Sequence, residues 1–202
     1  MIKFFTNREA SKRLNINLSK WKRWSREFLP PDPLGGMQSG FARQYSPDGA
    51  FTVYLGGHLV ADLKFTIPEA KQIVKDLHPW FAEKGFYFDS GSDLAGNQDV
   101  DPQIKKYIIF IEPKKDPDNA IRFMYTIRGI ILNEPVHYNG FEIMKELYTE
   151  ATIGLQMEKK SAVDLNIVKM VNITDVLNNF VVRLNLNRSR YPALSSINSS
   201  RS

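Results

Sequence analysis

Apolar residues recur at helical spacing over the first eighty positions. Beyond residue 104 they run together or alternate. In residues 6–14 (TNREASKRL), Ala10 and Leu14 lie four apart and share one helical face. Thr6, followed three places later by Glu9, has the pattern of a reciprocal N-capping pair. Asn15-Ile16-Asn17 reads as a tight turn, because asparagine tolerates unusual backbone angles. A second helix is predicted over 18–28. Leu18, Trp21, Trp24 and Phe28 form its inward stripe, and Lys20, Lys22, Arg23 and Arg26 occupy other angles. Pro30, Pro31 and Pro33 stop it, since proline lacks the amide proton and restricts the residue before it. The Gly-rich stretch 35–40 and the following residues 41–45 are expected to form a short hairpin. Ser46-Pro47 opens a helix that runs to about residue 63, with Ser46 as cap and Pro47 in the first turn. Gly56-Gly57 lies in its interior, at a propensity cost of about 1 kcal/mol each, and implies a kink or close packing. Thr66-Ile67-Pro68-Glu69 opens another helix by the same logic, ending between residues 78 and 83.

The remainder reads differently. Residues 89–103 are poor in large apolar groups and form the natural linker; their Asp spacing does not fit a twelve-residue calcium loop. Strands are predicted over 105–112 and 120–127, with further strand character at 129–132, 152–157 and 163–173. Residues 140–150 are predicted to be helical, with Phe141, Met144, Leu147 and Tyr148 on one side. A last helix is expected over 174–184, capped by Thr174, and residues 195–202 are expected to be disordered. The chain is therefore read as α+β, with four parts. Residues 1–88 form a mostly helical domain and 89–103 a linker. Residues 104–188 form a smaller mixed α/β domain for dimerisation or sensing, and 189–202 a flexible tail.

Composition narrows the function. With 202 residues, 43% of them hydrophobic, the chain is long enough for one large core or two small ones. It has no cysteine, which excludes disulfides and thiolate zinc sites. His58, His78 and His137 are scattered, so neither a metal nor a cofactor is expected. There is no Ser/His/Asp arrangement and no paired-carboxylate signature, and Gly35-Gly36 lacks the downstream Gly-Lys-Ser or Gly-Lys-Thr of a phosphate loop. The protein is accordingly not expected to be an enzyme. Nor does any run of about 18 apolar residues imply a membrane span, so a cytoplasmic location without a membrane partner is expected. Charge is the most informative quantity. Residues 1–50 hold nine basic and four acidic side chains, whereas the other 152 hold 18 of each, so the first quarter carries the whole net charge of +5. A local positive field of this kind is the footprint of a polyanion-binding surface.

A resemblance gives that field a form. The opening resembles the winged helix-turn-helix of the MerR family in the order and spacing of Thr6, Glu9-Ala10, Leu14 and the turn 15–17. The likeness continues through Lys22 and Trp24, then Arg43-Gln44-Tyr45-Ser46-Pro47, then Thr66-Ile67-Pro68-Glu69. It covers about residues 4–80. The resemblance implies a DNA-binding module in which Lys22, Arg23 and Arg26 contact double-stranded DNA from the second helix. Ser19 and Lys20 would lie near that helix's N-terminal end, and Arg43 and Tyr45 would contact the DNA backbone from the wing. Lys22 stands where the family has Arg, which removes a bidentate fork. Phe28 stands where the family usually has Gly, and no long heptad repeat follows residue 83. The expected function is sequence-specific DNA binding in transcriptional regulation, as a homodimer with an unidentified effector. Two alternatives stand beside it. One is a DNA-architectural, excisionase-like or phage or plasmid accessory factor. The other is a ligand-binding or enzymatic C-terminal domain tethered to DNA.

Overall fold

The computed structural model describes residues 4–31, 43–88, 101–115, 121–154, 163–164 and 167–195. The described chain is α+β and divides into two compact units. One comprises residues 1–99 and 176–192, the other residues 100–175 and 193–202.

The first unit is built on helices α1 (Asn7–Leu14), α2 (Leu18–Phe28), α3 (Pro47–Ala61) and α4 (Ile67–Glu83). Each starts where the sequence predicts. Thr6 Oγ1 accepts from Glu9 N at 3.3 Å to cap α1, but the reciprocal half of the expected pair is missing, because Glu9 instead meets Arg13 at 2.9 Å. Ser46 caps α3 by accepting from Gly49 N at 3.1 Å. The full capping box forms only at α4, where Glu69 N donates to Thr66 Oγ1 and Thr66 N donates to Glu69 Oε2 at 2.7 Å. Two short strands, β1 (Phe5–Thr6) and β2 (Gln44–Tyr45), pair antiparallel, with Phe5 opposite Tyr45. The Gly-rich part of the expected hairpin lies outside the described residues.

The interior glycines resolve as close packing. Gly56 and Gly57 of α3 are buried against the Phe28 and Trp24 rings of α2. A Cβ on Gly56 would stand 2.6 Å from the Phe28 ring, and one on Gly57 would overlap the Trp24 ring. The helical penalty of two glycines thus sets how near α2 can approach α3. Trp21, Tyr45, Phe51, Leu59, Ile73 and Phe81 of the same unit are all buried.

Helix α5 (Ile173–Leu184) joins the first unit from Val176 onward. Phe180 packs its ring 5.3 Å from Phe51 and 5.6 Å from Tyr54. Sequence reading assigned this helix to the C-terminal part. It also expected Thr174 as the cap, but Thr174 lies within the helix and accepts from Tyr107 N at 2.8 Å, while Asn172 Oδ1 accepts from Asp175 N. The chain after α5 stays packed as far as Leu194: Tyr191 and Leu194 are buried, beyond the point where a flexible tail was expected to begin.

The second unit is an antiparallel sheet. Strands β3 (Lys106–Lys115), β4 (Ile121–Tyr138) and β5 (Phe141–Ile153) lie side by side, with β4 in the middle. Strands β6 (Val163–Asp164) and β7 (Lys169–Asn172) both pair with the free side of β3. The helix expected over 140–150 is overturned. That segment is strand β5, paired with β4 from Tyr138 opposite Phe141 to Tyr125 opposite Ile153, with the register shifting by one residue between Ile130 and Leu132 of β4. The physical reason is the turn. Asn139 and Gly140 both adopt positive φ (48° and 82°), the geometry of a two-residue hairpin turn. Phe141, Ile143, Leu147 and Ile153 then alternate on one face as a strand requires.

Gly56→Ala and Gly57→Ala are each expected to destabilise the protein by about 1–3 kcal/mol through overpacking, although alanine is the better helix former. Urea denaturation followed by circular dichroism checks this. Wild-type or higher stability in both variants would mean that the α2–α3 distance is not set here.

Candidate nucleic-acid interface

The site is assembled from the turn outward. Asn15 occupies the left-handed region (φ 57°, ψ 46°) and ends α1; its N–H and that of Ile16 donate to Lys12 and Ser11 carbonyls at 3.3 and 2.8 Å. Asn17 then caps α2, its Oδ1 accepting from Ser19 N at 2.9 Å and Lys20 N at 3.3 Å. A three-residue connection between two helices is therefore closed by two asparagines doing opposite jobs.

Trp21 and Trp24 are core residues. Trp21 is wholly buried and meets the Tyr45 ring edge-on at 5.6 Å, while Trp24 lies against Gly57. Their burial fixes the rotation of α2. On a helix turning about 100° per residue, Lys22, Arg26, Ser19 and Arg23 fall within an arc of about 100° opposite the two tryptophans. All four are exposed, as is Lys20 at the flank of that arc. Glu27, the only carboxylate on α2, is turned to α4, where Lys71 Nζ stands 3.5 Å away. Among the described residues, none of Lys20, Lys22, Arg23 and Arg26 pairs with a carboxylate. Arg26 Nε donates to the Lys22 carbonyl of its own helix at 3.3 Å.

The two remaining predicted residues part company. Arg43 Nη2 donates to Pro30 O at 2.7 Å, and its guanidinium lies over the Tyr45 ring, 5.7 Å from the centroid. It thereby ties the end of α2 to the start of β2. Tyr45 is buried, and its hydroxyl donates to Asn7 Oδ1 at 2.6 Å. That places it beneath the surface, as a support for Trp21, instead of at the exposed position a backbone contact needs.

A cleft of about 360 Å³ opens beside the turn, lined by Asn17, Lys20, Trp24, Tyr54, His58 and Arg183 among others. It is of mixed sign. His58 Nδ1 lies 2.6 Å from Asp62 Oδ2, and burial raises the Tyr54 pKa above its ordinary value. No group of three or more potential metal ligands occurs among the described residues, and no helix there is long and apolar enough to cross a membrane.

One pair of residues escaped sequence reasoning. Arg13 Nη1 donates to Leu184 O at 2.9 Å, and Arg183 Nη1 donates to Leu14 O at 2.8 Å. Each arginine thus satisfies the terminal carbonyl of the other's helix, where the helix dipole also favours a cation. Residues 170 positions apart carry no periodic signal; only basic residues at two helix ends hinted at it. The pair steadies the end of α1 and hence the turn that aims α2.

No protein-family model matches this chain, and no curated protein or solved structure is significantly similar to it.

Arg13→Ala and Arg183→Ala are each expected to cost about 1 kcal/mol of stability, the scale of a partly exposed charge-assisted hydrogen bond. The check is a shift of the urea midpoint at unchanged slope. Neither variant shifting it would show that the reciprocal caps contribute nothing.

Proposed function

We propose that this protein binds double-stranded DNA sequence-specifically and acts as a transcriptional regulator. Helix α1, the turn at 15–17 and helix α2 serve as a helix-turn-helix, and Arg43 with β2 serves as the wing. The observation that carries the reading is the outer face of α2: exposed cations without carboxylate partners stand opposite two buried tryptophans. B-DNA's major groove admits one helix, and phosphates line its rims. A helix held by its apolar side, with cations on the far side, matches that geometry.

Lys22, Arg23 and Arg26 face the groove, with Ser19 among them. Lys22, as a point charge, suits phosphate, whereas the Arg23 and Arg26 forks suit paired acceptors on a base edge or a phosphate. Lys20 sits in the first turn of α2, which has no acidic residue. A cation there is unfavourable for the helix, because the dipole already makes that end positive, and favourable for a bound anion. Arg43 keeps further N–H donors after its bond to Pro30, which supports a backbone contact from the wing. Tyr45 supports that position from below.

Binding to a labelled duplex across a salt series tests this. The wild-type log affinity is expected to fall linearly with log salt. Lys22→Ala is expected to weaken binding and flatten that slope by about 1, the value of one lost phosphate contact. Arg23→Ala is expected to weaken the preferred sequence most. Unchanged affinity in both variants would remove α2 from the interface.

A further inference from the structure

Strands β4 and β5 outrun the sheet that holds them. The pairing of β3 with β4 ends at Lys106 opposite Ile130, whereas β4 and β5 stay paired to Tyr138 opposite Phe141. The overhang is a two-stranded arm, and two-stranded ribbons are marginal in water on their own. Directly opposed residues share a face, so the partners of Tyr125 and Ile127, namely Ile153 and Ala151, mark the core side of β5. Along that side the arm presents Leu132 with Leu147, Val136 with Ile143, and Tyr138 with Phe141. Leu147 is 53% exposed, Ile143 43%, Tyr138 63% and Phe141 73%. The core face therefore continues outward with nothing described to cover it. Glu134 and Lys145, opposite one another, are the only charges on this stripe.

The outer edge of β5 is equally open. Among the described residues no strand pairs with it, and it contains neither proline nor bulge over thirteen residues. Such an edge is a template for another strand. DNA does not suit it: residues 133–153 hold four glutamates and one lysine. A second β5 does. If two copies pair antiparallel about a two-fold axis normal to the sheet, full overlap sets Phe141 opposite Ile153 and Leu147 opposite itself. In that register Glu142 meets Thr152, Met144 meets Glu150, Lys145 meets Thr149 and Glu146 meets Tyr148, so no like charges are opposed. Sliding the axis to residue 146 sets Glu146 against itself and Glu142 against Glu150; sliding it to 148 sets Glu146 against Glu150 twice. A slip that moves the axis by half a residue turns the apolar face to the opposite side. Of these registers the fully overlapped one keeps the apolar faces together without charge repulsion, and it pairs the greatest length of strand. It also brings Phe141, the most exposed apolar group of the arm, beside the partner's copy of Ile153, where the core begins.

We infer that the protein forms a symmetric homodimer through β5, the strands of two copies joining edge to edge about Leu147. The inference stands on the arm alone and holds whether or not α2 binds DNA.

The native sequence has no cysteine, so single-cysteine variants report the register directly. At the two-fold, opposed Cα atoms lie about 4.5–5.5 Å apart, within disulfide reach, whereas two copies of residue 144 lie about 20 Å apart. The full chain is expected to sediment as a dimer. Leu147→Cys is expected to yield a covalent dimer on oxidation and Met144→Cys none. Leu147→Lys, which sets two ammonium groups face to face, is expected to sediment as a monomer with an unchanged circular dichroism spectrum. A wild-type monomer at the highest soluble concentration would overturn the inference. So would a Leu147→Lys dimer, or equal crosslinking of Met144→Cys and Leu147→Cys.

Discussion

The near contact of α2 with Gly56-Gly57 is the constraint on which the first unit turns. Two glycines in the middle of a helix sacrifice propensity, and what they gain is room for the Trp24 and Phe28 rings at van der Waals range of the α3 backbone. Once those rings are seated, α2 has one possible rotation. Trp21 follows into the core against Tyr45, and the cations at 22, 23 and 26 are forced outward. The basic face is thus a consequence of packing as much as of composition.

The other supports act on the same element. Asn15 and Asn17 fix the angle between α1 and α2 through backbone and side-chain bonds. Arg13 and Arg183 lock the end of α1 to the end of α5. Arg43 ties the exit of α2 to β2. The charge asymmetry then has a location: four of the nine basic residues in the first fifty stand on α2, a helix held from three sides, while the arm of the second unit is acidic.

Much of the first unit was legible in the sequence, because its signals are local. Caps at Thr6, Ser46 and Thr66, the turn at 15–17, the prolines at 30, 31, 47 and 68, and the 3.6-residue stripe on α2 each act within a few positions. The basic residues of α2 were found the same way. What escaped depended on long-range packing or on a conflict of periods. In 141–150, Phe141, Met144, Leu147 and Tyr148 fit a helix at i, i+3, i+6 and i+7, while Phe141, Ile143 and Leu147 fit a strand. The Asn139-Gly140 turn and pairing with β4 decide for the strand. The attachment of α5 to the first unit, and the burial of Tyr45, rest on partners distant in the chain. Neither has a local pattern.

The central claim is that the outer face of α2 reads DNA. The most direct test is selection of bound duplexes from a random pool by the full chain and by a Lys22→Ala, Arg23→Ala, Arg26→Ala triple variant. The account predicts a short motif enriched by the wild type and lost in the triple variant. Enrichment of the same motif by both proteins, or of none by the wild type, would contradict it.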